Sequence, residues 1–70
     1  MNRAAAIELL PQAYAAALRL RDDGLEPGEI ARRLGIAPEA VASTLELADA
    51  KLARLLGVED SRAEPLRGTP

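Results

Sequence analysis

The chain has 70 residues, a formal net charge of −2, a single aromatic residue, and neither cysteine nor histidine. This composition excludes disulfides, the usual zinc and haem sites, and catalysis by a thiol or a Ser-His pair, so we expect neither an enzyme nor a cofactor. No apolar run approaches the roughly 18 to 20 residues that span a bilayer, and no secretory signal is visible, so we expect a cytoplasmic protein without a membrane partner.

The first third of the chain predicts two helices that are separated at Pro11. Asn2 can cap a helical stretch through Leu10, whereas Pro11 lacks the backbone donor that an interior helical turn requires. We therefore expect a break or sharp bend at Pro11 and a second helix up to Asp23, which Gly24 ends. Apolar residues at three- and four-residue spacing predict one shared face, formed by Ile7, Leu10, Tyr14, Ala17 and Leu18.

Residues 24–56 have the pattern of a helix-turn-helix. A short helix from about Pro27 to Leu34 can place Ile30, Ala31 and Leu34 inward. Gly35 can adopt the positive φ that ends this helix, and Pro38 can open the next one.

The last predicted helix is the longest and extends from about Pro38 to Leu56. Gly57 is a C-terminal cap, and residues 58–70 mix charges, prolines and glycine without periodicity, which predicts a disordered tail. The apolar repeat spans only about two heptads, which favours packing within the chain over a coiled coil. The predicted core stripe consists of Val41, Leu45, Ala48, Leu52 and Leu55, widened by Leu56. We therefore predict an all-α bundle of three to four helices over residues 1–57.

The spacing of glycine and apolar residues in this region follows a known motif without a gap. The matching positions are Gly24-Leu25, Glu29-Ile30-Ala31, Leu34-Gly35-Ile36, Val41, Leu45 and Lys51-Leu52. This pattern resembles the helix-turn-helix of the C-terminal domain (region four) of bacterial sigma factors and of LuxR-type regulators. Upstream, Leu10-Pro11 and residues 17–20 extend the likeness to about residues 10–56. The resemblance implies binding to double-stranded DNA with the second motif helix in the major groove.

The second motif helix departs from the family's pattern. The family typically has a Thr-Val-Lys-like segment followed by polar or basic residues, whereas this chain has Ala40-Val41-Ala42-Ser43-Thr44. From residue 38 to 56 there are two basic and three acidic residues, which give a net charge of −1. The resemblance to this family therefore supports the helix-turn-helix fold more strongly than it supports recognition of DNA.

Six residues are candidates for DNA contact: Arg32, Arg33, Ser43, Thr44, Lys51 and Arg54. Arg33 and the four candidates on the second helix also have an ordinary structural explanation. Glu29 stands four residues before Arg33 and can form a surface ion pair with it. A hydroxyl in the middle of a helix often bonds a preceding carbonyl, and cations in the last turns are favoured by the helix dipole.

A second set of residues points to a protein partner. Leu47 lies off the core stripe, and Glu46 and Asp49 would bring negative charge toward phosphates, so Ala42, Glu46, Leu47 and Asp49 form an alternative contact surface. The first two helices have more apolar residues than one narrow core face can bury, so we expect a further apolar surface. Its residues are Ala4, Ala5, Ala6, Leu9, Ala13 and Ala16.

Two functions remain open on the sequence. The first is a small helix-turn-helix transcription regulator that binds duplex DNA weakly unless it is oligomeric, for example as a homodimer. The alternative is a protein-interaction module with a degenerate helix-turn-helix, which binds a transcription component or self-associates.

Overall fold

The computed structural model describes residues 1–57, and the predicted tail at 58–70 lies outside the described residues. The helices are α1 (Arg3–Glu8), α2 (Gln12–Asp22), α3 (Pro27–Leu34) and α4 (Val41–Leu56). A 3₁₀ turn at Pro38–Ala40 leads directly into α4, and residues 1–57 contain no strand. The predicted all-α helix-turn-helix bundle is confirmed.

The ends of α1 and α2 follow from capping and from Pro11. The Asn2 side-chain oxygen accepts a hydrogen bond from the Ala5 backbone N–H at 2.8 Å, as expected of an N-cap. The α-helical stretch stops at Glu8, two residues earlier than predicted, because the next two backbone N–H groups bond three residues back and tighten the last turn. Pro11 precedes the first residue of α2, which confirms the break.

The turn of the helix-turn-helix is set by Gly35. This residue has φ 72°, in the left-handed region, and the Ile36 N–H bonds back to the Ala31 carbonyl at 3.0 Å. The predicted single helix from Pro38 is wrong in its first three residues. These form a 3₁₀ turn, in which the Ala40 N–H bonds the Ala37 carbonyl at 2.9 Å before α4 begins.

Two apolar clusters build the core, and α4 contributes to both. One joins α1, α2 and α4, and its buried members are Ala6, Ile7, Leu10, Ala15, Leu18, Ala48 and Leu52. The other joins α3 to the start of α4 through Ile30, Ala31 and Val41. Half-buried Leu45 packs against both clusters, so α4 is held on one face along most of its length.

The apolar surface differs from the prediction in two places. Leu55 and Leu56 are 40% and 36% exposed, because the buried core reaches no further along α4 than Leu52. Their assignment to the core stripe is therefore wrong. In the predicted second surface, Ala6 is buried in the core and Ala16 is half-buried, whereas Ala4, Ala5, Leu9 and Ala13 are exposed.

Two ion pairs connect the helices at the surface. Arg3 of α1 donates to Asp22 of α2 at 2.6 Å, and Arg21 of α2 donates two hydrogen bonds of 2.9 Å to Asp49 of α4. The hydrogen bonds from Arg21 lower the pKa of the Asp49 carboxyl below its ordinary value. Both pairs are exposed, so the contribution of each to stability is small.

The Arg21–Asp49 pair predicts a small pH dependence of stability. Because the pKa of Asp49 is lower in the folded state, its contribution is present at neutral pH and is lost as the pH falls below about 4. We expect Asp49→Asn to lower the free energy of unfolding by less than about 1 kcal/mol at pH 7. In urea denaturation, the gap between variant and wild type should then narrow as the pH is lowered from 7 to about 3.

The matched control for this prediction is Glu46→Gln. It removes an exposed carboxylate of the same helix that has no ion pair within residues 1–57. It should leave stability unchanged at both pH values. A difference between Asp49→Asn and wild type that is the same at pH 7 and pH 3 would contradict the prediction.

Candidate nucleic-acid interface

The packing of α4 leaves one of its faces open to solvent. Val41, Ala48 and Leu52 are buried, and the residues on the opposite side of the helix are exposed. We define this outward face of α4 by five exposed residues: Ala42, Ser43, Glu46, Leu47 and Ala50. In a helix-turn-helix, this is the face that is free to meet a ligand.

The charge along this face is negative at its start. Glu39 is exposed in the 3₁₀ turn and Glu46 is exposed about two turns later, while residues 34–50 contain no Lys or Arg. The basic residues Lys51 and Arg54 follow only in the C-terminal part of α4. The N-terminal half of α4 therefore has no cation to attract phosphates.

The two hydroxyl candidates have limited means of contacting DNA. Ser43 Oγ donates to the Ala40 carbonyl at 3.2 Å, so its hydrogen is committed within the helix. Its oxygen can still accept, but a phosphate requires a donor. Thr44 is half-buried. Their role in DNA binding stays a prediction.

Arg32 and Arg33 of α3 converge on one carboxylate. Arg33 Nε donates to Glu29 Oε2 at 3.1 Å, as the spacing predicts, and Arg32 Nη2 also donates to Glu29. These hydrogen bonds, the one from Arg32 first, lower the pKa of the Glu29 carboxyl. Both guanidinium side chains remain well exposed, at 77% for Arg32 and 57% for Arg33. The group keeps a net charge of +1 and can turn toward a phosphate.

Lys51 and Arg54 lie at the other end of the candidate surface. Lys51 Nζ lies 5.6 Å from the centre of the Tyr14 ring, a cation–π contact that directs the half-buried lysine toward α2. Arg54 is exposed in the last turn of α4. A rise of 1.5 Å per residue puts Arg54 about 16 Å along the axis from Ser43, so the candidates on α4 do not all lie close together.

The four residues predicted to contact a protein partner lie in two different places on α4. Ala42, Glu46 and Leu47 lie on the outward face of α4, and Leu47 is 51% exposed. Asp49 lies at the flank of the helix, where Arg21 of α2 holds it. The two partners are 28 residues apart in the chain, so no local spacing indicated this pair.

Within residues 1–57, the side chains do not assemble a metal site, and no helix there has the length and apolarity to cross a bilayer. The model of a family described as "Sigma-70, region 4" matches residues 4–52, which are 49 of the 70 residues. This match begins in α1, includes the helix-turn-helix and ends in α4. No curated protein and no solved structure matches the chain.

Proposed function

Because the chain belongs to the sigma-70 region 4 family, we propose that it is a small DNA-binding regulator of transcription. Domains of this family bind DNA and protein partners such as core RNA polymerase. The observation that carries the proposal is the helix-turn-helix itself, in which Gly35 ends α3 and the outward face of α4 is left open. This is the arrangement that places a helix in the major groove.

In the proposed complex, the outward face of α4 enters the groove and cations on either side hold the backbone. Arg32 and Arg33 contact phosphates from α3, and Lys51 and Arg54 do so from the end of α4. Four such contacts predict a slope of about −3.6 in a plot of log K against log salt concentration. Because Glu39 and Glu46 oppose the phosphates, a single copy binds weakly, and a homodimer formed through a surface other than the outward face of α4 would raise occupancy.

The DNA proposal is tested by fluorescence anisotropy of a labelled duplex titrated with the full chain at several salt concentrations. We expect the double variant R32A/R33A to reduce the salt slope by about 1.8, since two phosphate contacts are lost. Glu29→Gln should raise DNA affinity about threefold, because it releases both arginines from weak surface pairs and removes a negative charge.

The control for this experiment is Glu26→Gln. Glu26 precedes the same helix and its side chain makes no capping hydrogen bond, so the variant removes one charge without releasing an arginine. It should raise affinity less than Glu29→Gln does. Salt-dependent DNA binding that R32A/R33A leaves unchanged would contradict the arrangement, and absence of saturable binding would contradict the function.

A second candidate function is recognition of a protein component of transcription by the outward face of α4. The observation that favours it is the chemistry of this face, where Glu46 is the only charged residue and Leu47 is 51% exposed. An exposed leucine beside alanines and a carboxylate suits a protein surface better than a phosphate backbone.

We expect Leu47→Asp to abolish a saturable complex with bacterial core RNA polymerase without unfolding the domain. The leucine is half-exposed, so its replacement leaves the core intact while it puts a charge in the centre of the contact. Leu9→Asp is the matched control, because Leu9 is 61% exposed directly after α1 and is not part of the outward face of α4. Equal polymerase affinities of Leu47→Asp and wild type, measured by anisotropy, would dismiss this function.

A further inference from the structure

We propose that α4 pairs in an antiparallel manner with α4 of a second copy of this chain, through its outward face. This inference rests on the second candidate function, and it names the partner as the protein itself. The starting observation is that the outward face of α4 has no covering element within residues 1–57 although Leu47 is 51% exposed in its middle. The order of charges along the helix then indicates that the partner is a second copy of this chain.

Acidic and basic residues are separated along α4 and the turn before it. Glu39 and Glu46 precede the middle of the helix, and Lys51 and Arg54 follow it, while Asp49 near the middle is paired with Arg21 of α2. Two such helices side by side in the same direction bring like charges together. In opposite directions, the acidic part of each copy faces the basic part of the other, and the two helix dipoles also oppose. The charge pattern is therefore complementary to itself under a two-fold axis.

The same axis fits the shape of the face. If the axis crosses α4 between residues 48 and 49, each Leu47 lies level with Ala50 of the second copy. A large side chain then packs on a small one in two symmetric places. Glu46 lies about 5 Å along the axis from the level of the second copy's Arg54, within reach of its long side chain. Asp49 stays at the flank, bonded to Arg21.

The size of the contact predicts a weak dimer. A helix of 16 residues is about 24 Å long, and one face of it buries less than the 1,200 Å² of standard stable complexes. The dimer covers the outward face of α4, which is also the face proposed to enter the DNA groove. A second copy and DNA therefore compete for this face.

Sedimentation equilibrium of the full chain, from low micromolar to millimolar concentration, tests the proposal. We expect a monomer–dimer equilibrium that E46K or R54E each weakens about tenfold, because every single variant places like charges in both symmetric contacts. An equimolar mixture of E46K and R54E should associate as strongly as wild type, since opposite charges then face each other at both contacts. Both positions are exposed, and circular dichroism verifies that the variants fold.

Two results would overturn self-association through α4. One is a wild-type chain that stays monomeric at every concentration, and the other is a mixture of E46K and R54E that associates no better than either variant alone. In the first case, polymerase binding that Leu47→Asp abolishes would leave the second candidate function standing. If the wild-type chain dimerises but does not bind polymerase, the self-association is supported and polymerase is excluded as a partner.

Discussion

Replacing Leu18 by alanine is expected to lower the free energy of unfolding by about 3 kcal/mol. Leu18 has no exposed surface and lies in the cluster where α1, α2 and α4 meet. Truncation removes three carbon atoms from this contact and leaves a cavity that three short helices cannot close without shifting. No other fully buried side chain of α2 is as large.

The loss is large relative to the stability of a domain of this size. With 57 described residues, typical values per residue predict a total of about 3 to 9 kcal/mol. The variant should therefore be substantially unfolded, or unfold at much lower urea concentration, as monitored by circular dichroism at 222 nm. Leu9→Ala is the matched control, because Leu9 is 61% exposed, and should change stability by less than about 0.5 kcal/mol. Equal losses in the two variants would contradict the described core.

Replacing Gly35 by alanine is expected to destabilise the domain by about 1 to 2 kcal/mol. Gly35 has φ 72°, and a Cβ added there would meet no atom within 4 Å. The cost is therefore backbone strain in the left-handed region and not a steric clash. Because this residue joins α3 to the turn before α4, the strain acts on the helix-turn-helix itself.

Gly28→Ala provides a control of opposite sign. Gly28 lies inside α3 with no positive φ, and a Cβ added there also meets no atom within 4 Å. Alanine should therefore stabilise α3 by about 0.5 to 1 kcal/mol, since it reduces the freedom of the unfolded chain. Thermal unfolding followed by circular dichroism compares the two variants. Changes of the same sign would show that the described backbone at one of these glycines is wrong.

Local features of the candidate site could be predicted from the sequence, but the arrangement of its side chains relative to one another could not. The Glu29–Arg33 pair follows from four-residue spacing on one helix, and the exposure of Leu47 follows from its angle to the core stripe. The binding of Arg32 to the same carboxylate was not predicted, although its three-residue spacing permits it. The assignments of the DNA- and partner-contacting residues stay predictions.

The helix-turn-helix could be predicted from the amino-acid sequence alone. Proline, glycine and capping residues act within a few residues of their own position, and helical periodicity shows which side of a helix is apolar. The break at Pro11, the helix end at Gly35 and the apolar stripe from Val41 to Leu52 therefore follow from local sequence.

The exposure of Leu55 and Leu56 and the Arg21–Asp49 pair could not be predicted from the sequence and became visible in the three-dimensional fold. The first depends on how far the other helices cover α4, and the second joins side chains from different helices. Both depend on distances in space between segments far apart in the chain, which local spacing does not specify.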